Sequence, residues 1–64
     1  KISDREKSFL VLACSDKTYK QIAAEMNVSE RTVDGYRETL FKKFNVQSRV
    51  GLCLEAIRQK LVSI

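Results

Sequence analysis

Between Ser29 and Lys43 the chain interleaves side chains that hydrogen-bond to nucleic acid with side chains fit only for burial. Arg31 has the fork geometry that pairs with the outer edge of guanine, and Asp34 and Glu38 are acceptors for the amino group of cytosine. Gly35 has no side chain and lets a backbone approach closely. At 100° per residue these four residues share one side of a helix whose other side carries Val33, Leu40 and Phe44. Ser29 and Thr32 bring hydroxyls and free amides to the helix N-terminus, a place that favours anions. Lys20, Tyr36, Lys42 and Lys43 flank the same face and could reach a phosphate backbone. The candidate base contacts are therefore Arg31, Asp34, Gly35 and Glu38. The candidate phosphate contacts are Lys20, Ser29, Thr32, Tyr36, Lys42 and Lys43. Taken alone, such a face is equally that of a solvated helix, and Tyr36 could equally be a half-buried core aromatic. The surrounding elements have to decide.

Other chemistry finds few residues to work with. The 64 residues contain no histidine, the commonest general base and a common metal ligand. No nucleophile–base pair, metal cluster or phosphate loop can be picked out, and so short a chain has no room for a supported catalytic cleft. The expectation is a binding domain that is not an enzyme and needs no metal or cofactor. Twelve Lys and Arg against eight Asp and Glu give a net charge of +4, which suits nucleic acid but decides nothing alone. No apolar run approaches the ~20 residues of a membrane span, and no signal peptide opens the chain. The start at Lys1 reads as a piece cut from a longer protein. Cys14 and Cys53 lie in apolar stretches and read as reduced, buried thiols, with a disulfide or redox switch as the alternative.

Four helical patterns position the face, and no alternating strand pattern competes with them. The first opens at Ser3, which has capping-box spacing to Glu6, and turns Phe9, Leu10, Leu12 and Ala13 inward before stopping near Ser15-Asp16-Lys17. The second opens at Thr18, spaced in the same way to Gln21, carries Ile22, Ala23 and Met26, and ends at Asn27. The third starts at Ser29 and is broken by Asn45-Val46-Gln47. The fourth is capped by Ser48 and runs through Val50, Cys53, Leu54 and Ile57. The expected spans are about 4–14, 18–26, 30–44 and 49–60. The fold class is all-α, one compact four-helix domain over residues 1–64.

The joint between the second and third helices is only Asn27-Val28-Ser29, which forces a steep crossing. Ala23 is small enough for close approach, Asn27 tolerates positive φ, and Ile22, Met26, Val28 and Val33 fill the wedge. Those are the requirements of a helix-turn-helix, whose second helix reads the major groove with its N-terminal residues. An ordinary helical hairpin is the competing reading.

The segments SDRE, KQIAAEMNVSERTV and LFKKFNVQSRV resemble the LuxR-type helix-turn-helix domain, the C-terminal output half of NarL/FixJ-type response regulators and of quorum-sensing regulators. The resemblance covers nearly the whole chain. Arg5-Glu6, Ile22-Ala23, Val28-Ser29, Thr32-Val33, Lys43 and Ser48-Arg49 match its pattern. Asp34 stands where that family usually has Lys, Tyr36 where it has His, and Asp16 where it has Gly. The first two differences imply a different operator sequence.

The resemblance implies double-stranded DNA as partner and an upstream receiver or sensor domain. It also implies a homodimer on DNA through the fourth helix, whose apolar residues Val50, Leu52, Cys53, Leu54, Ala56 and Ile57 are the candidate contacts, with burial of all of them in the monomer's core as the competing reading. RNA polymerase is a compatible further partner, and the cytoplasm the expected location. The alternatives are the promoter-reading region of a sigma factor and a helical protein-interaction module.

Overall fold

Each helix begins where a hydroxyl side chain takes over a backbone amide that the first turn leaves without a partner. The computed structural model describes residues 2–63. In it Ser3, Thr18, Ser29 and Ser48 accept from the amides of Glu6, Gln21, Thr32 and Gly51 at 3.0–3.1 Å. For Ser3 and Thr18 the box closes in both directions, because Glu6 and Gln21 accept from the cap amides at 2.9 and 2.8 Å. The helices are α1 (Asp4–Ala13), α2 (Tyr19–Met26), α3 (Glu30–Phe44) and α4 (Arg49–Arg58). No strand occurs among the described residues.

Three of the four helices end on a left-handed residue. Asn27, Asn45 and Lys60 have φ near +60°. The amides of Val28, Val46 and Leu61, each one residue further on, reach back to the carbonyls of Ala23, Phe41 and Ala56 at 2.9–3.0 Å. This is the Schellman arrangement, with an apolar residue after the turn that folds back onto the core. Val28, Val46 and Leu61 all pack there. The motif shortens α4. Its span was expected to reach Lys60, but it stops at Arg58, and the left-handed Lys60 sends Leu61 and Val62 back against the core. Lysine is not a residue that announces such a turn, so the pattern ran on past the true end.

The interior is made by Phe9, Leu10 and Ala13 from α1, Ile22 and Ala23 from α2, Val33 and Leu40 from α3, and Leu52 and Ala56 from α4. Helices α1 and α3 each pack against all the others, whereas the backbones of α2 and α4 stay apart and only the Arg49 side chain reaches Tyr19. Such packing leaves α2 and α3 exposed together at one side.

The fourth helix corrects the expected assignment of its faces. Leu52 and Ala56 were placed in the dimer surface, yet both are 0% exposed and complete the monomer's core. Val50 and Leu54, named in the same expected surface, are 69% and 64% exposed and stay available there. The sequence VGLCLEAI is apolar on several sides, so periodicity cannot choose the buried side. Contact with α1 and α3 chooses it.

Candidate nucleic-acid interface

The turn between α2 and α3 is built as the spacing requires. Asn27 is left-handed at φ 60°, Val28 fills the wedge, and Ser29 caps α3. Ala23, 4% exposed, gives the close approach. Along α3, Val33 and Leu40 are 0% exposed, which orients the whole helix. Arg31, Asp34, Gly35 and Glu38 are consequently all exposed. They line one open hollow on the outer surface of α3. Nothing lies within 4 Å of where a Cβ on Gly35 would stand.

A family model described as bacterial regulatory proteins, luxR family, matches residues 1–56. The chain belongs to the luxR family of bacterial regulatory proteins. It is the helix-turn-helix DNA-binding domain of that family, and the sigma-factor reading falls away.

The response regulatory protein YgeK of Escherichia coli, itself uncharacterized, is 33% identical over 98% of this chain. The spore germination protein GerE of Bacillus subtilis is 33% identical over 89% of this chain and 77% of its own length. A Vibrio cholerae VqmA dimer, a LuxR-type receptor solved in the absence of target DNA, superposes with a TM-score of 0.89 at 33% identity. It covers 95% of this chain and 28% of its own. The chain spans 43% of YgeK and 28% of the response regulator UvrY of Escherichia coli.

Within this luxR domain the remaining expected contacts divide. Lys20 and Lys42 are exposed at the first turn of α2 and the last turn of α3. Lys43 is also exposed, but its ammonium donates to Glu6 Oε1 at 3.1 Å and ties the end of α3 to the start of α1. The amide of Ser3 and the Lys43 ammonium both hold the Glu6 carboxyl below its ordinary value. Ser29 and Thr32 are exposed, with their hydroxyl oxygens 3.0 Å apart at the cap. Tyr36 is half-buried, and its ring lies 6.0 Å from that of Phe9 against the core.

Two arginines escaped the sequence reasoning in their structural roles. Arg37 is half-buried between Asp34, at 3.9 Å, and Glu38, at 3.8 Å, with its guanidinium 5.6 Å from the centre of the Tyr19 ring. Its spacing of three from Asp34 was the available signal. Arg49 donates to the carbonyls of Ala13 at 2.8 Å and of Ser15 at 3.1 Å, and also to that of Lys17. Nothing local in the sequence announces those partners, which lie more than thirty residues away.

The thiols of Cys14 and Cys53 are free and half-buried rather than fully buried. Cys53 donates to the Ala13 carbonyl at 3.2 Å. Burial, reinforced by the neighbouring Cys53, pushes the Cys14 thiol up to about 12. Among the described residues no helix is long and apolar enough to cross a membrane.

Proposed function

We propose that residues 1–64 form one sequence-specific output domain of a bacterial transcription regulator, acting by binding rather than catalysis, with α3 seated in the major groove. One observation carries this reading. The side of α3 opposite the buried Val33 and Leu40 presents Arg31, Asp34, Gly35 and Glu38 unobstructed, directly after a helix-turn-helix joint. Arg31 reads guanine, the carboxylates accept from base amino groups, and Gly35 lets the backbone come close. Ser29, Thr32, Lys20 and Lys42 flank that face and hold phosphates. Tyr36 offers its hydroxyl, since its ring faces the core. Lys43 adds positive charge nearby while it braces Glu6.

Two copies bind side by side. A single small module buries only about 600–1,000 Å² on DNA, and a second copy is the usual remedy. The exposed Val50 and Leu54, with the half-buried Cys53 between them, supply the contact. The relatives named response regulators, and the fraction of their length that the chain spans, support an upstream receiver or sensor domain. The working compartment is the cytoplasm, with RNA polymerase as a further partner.

The test is selection from a random duplex pool, followed by titration of the selected duplex at several salt concentrations. A common motif and a linear fall of log affinity with log salt are expected. A flat salt response, or no motif, would leave a protein-interaction module as the better reading.

A further inference from the structure

Two carboxylates, Asp34 and Glu38, stand beside Arg31 on the exposed face of α3. Asp34 and Glu38 lie one turn apart on either side of Gly35, with Arg37 within 4 Å of both carboxylates. Arg31 lines the same hollow, and Arg37 stays 3.8–3.9 Å from the two carboxylates, beyond hydrogen-bond distance, so both acids keep acceptor lone pairs for a donor from outside. A carboxylate desolvated in the major groove has to find a donor there. Two bases offer one: the N6 amino of adenine and the N4 amino of cytosine. Adenine sets the N7 acceptor next to its amino group, and N7 would repel a carboxylate. Cytosine sets only its C5 carbon there.

Gly35 adds an independent observation. A glycine inside a helix is unfavourable relative to alanine. Here the fold does not require it, since a Cβ would meet nothing and φ is not positive. The space over Gly35 is therefore open to solvent.

We infer that the hollow of Asp34, Gly35 and Glu38 is a cytosine-reading site. A carboxylate takes the N4 amino group, and the C5 edge of the base lies over Gly35. This rests on the DNA-binding reading above and sharpens it. Because the space over Gly35 is open, a methyl group on C5 is tolerated. Thymine is rejected, because it turns an O4 acceptor toward the carboxylates.

The experiment uses the duplex selected by the wild-type domain. Each cytosine is exchanged in turn for thymine, with adenine opposite, or for 5-methylcytosine, and affinity is read by fluorescence anisotropy. At one cytosine per half-site, thymine should weaken wild-type binding roughly 5- to 100-fold, while 5-methylcytosine changes it less than about twofold. The Asp34→Ala, Glu38→Ala double variant should lose that discrimination. Gly35→Ala should melt a few degrees higher yet bind the duplex more weakly and reject 5-methylcytosine. These opposite signs separate a DNA role from a structural one. The cytosine assignment is overturned if no cytosine shows this dependence, or if the double variant discriminates as the wild type does. If the wild type selects no duplex at all, the DNA-binding reading fails as well, and that result is distinct from binding without cytosine preference.

Discussion

The guanidinium of Arg49 lies 4.9 Å from the centre of the Tyr19 ring while it also hydrogen-bonds to the carbonyl of Ala13. Those two contacts join the end of α1 to the start of α2 from a side chain on α4. The last turn of α1 has no basic residue of its own, so Arg49 supplies the positive charge that a helix C-terminus favours. By binding Ser15 and Lys17 as well, it fixes the loop through which the chain enters the helix-turn-helix.

Replacing Arg49 by Met should cost about 2–4 kcal/mol, because three carbonyls, two of their hydrogen bonds part-buried, lose a charged donor together. Arg49→Lys should recover only part of that, since a single ammonium cannot match the fork or stack on Tyr19 as well. Urea denaturation checks both variants. Full recovery by lysine would show that charge alone matters at this position.

Lys42 and Lys43 should separate in a salt titration. Lys42→Ala is expected to lower the magnitude of the salt slope by about 0.9, the loss of one phosphate contact, without changing the melting temperature. Lys43→Ala should lower the melting temperature, because it breaks the tie to Glu6. Its effect on the slope should be the smaller of the two. The reverse order would move the phosphate contact to Lys43.

Acid should weaken the fold partly through Glu6. Its carboxyl is held below the ordinary value of 4.5 by the Ser3 amide and by Lys43. A group whose folded value is lowered stabilises the native state above its unfolded value, and that contribution is lost as pH falls. Stability should therefore decline below about pH 4.5, and Glu6→Gln should flatten part of the decline. Thermal melts from pH 7 to pH 3 would show the difference. Parallel curves for the two proteins would exclude Glu6 as a source. Glu55, drawn down to about 2 by Arg58 and Gln59, acts in the same direction in both proteins.

The two sides of α4 should respond oppositely to substitution. Leu52→Ala should destabilise the monomer by about 2–5 kcal/mol, since the side chain is wholly buried. Val50→Asp and Leu54→Asp should leave the melting temperature within a few degrees of wild type. On a duplex with two half-sites, sedimentation should then find one copy where the wild type places two. Two copies with either aspartate variant would put the contact elsewhere.

Lys60 offers a stabilising change. A lysine at φ 61° carries left-handed strain that glycine does not. Lys60→Gly should raise stability by up to about 1 kcal/mol, read as a higher urea midpoint. A lower midpoint would mean that the lysine side chain has favourable contacts outweighing the strain.

The sequence by itself determined the helices and the joint. Hydroxyl caps with glutamate or glutamine three residues on, and asparagines at the left-handed ends, act within one turn of the chain, so their meaning survives without tertiary context. The same local rules set α3 from Glu30 to Phe44 and turned Arg31, Asp34, Gly35 and Glu38 to the side opposite Val33 and Leu40. Tertiary structure decided what depends on residues distant in sequence. Which side of the evenly apolar α4 is buried was set by the cover that α1 and α3 provide, and it took Leu52 and Ala56 inside while leaving Val50 and Leu54 out. Lys43 met Glu6, Tyr36 met Phe9, and Arg49 met the carbonyls of the loop before α2 for the same reason. Each of these side chains is long enough to serve several partners, and only the packing of the helices brings one of them within reach.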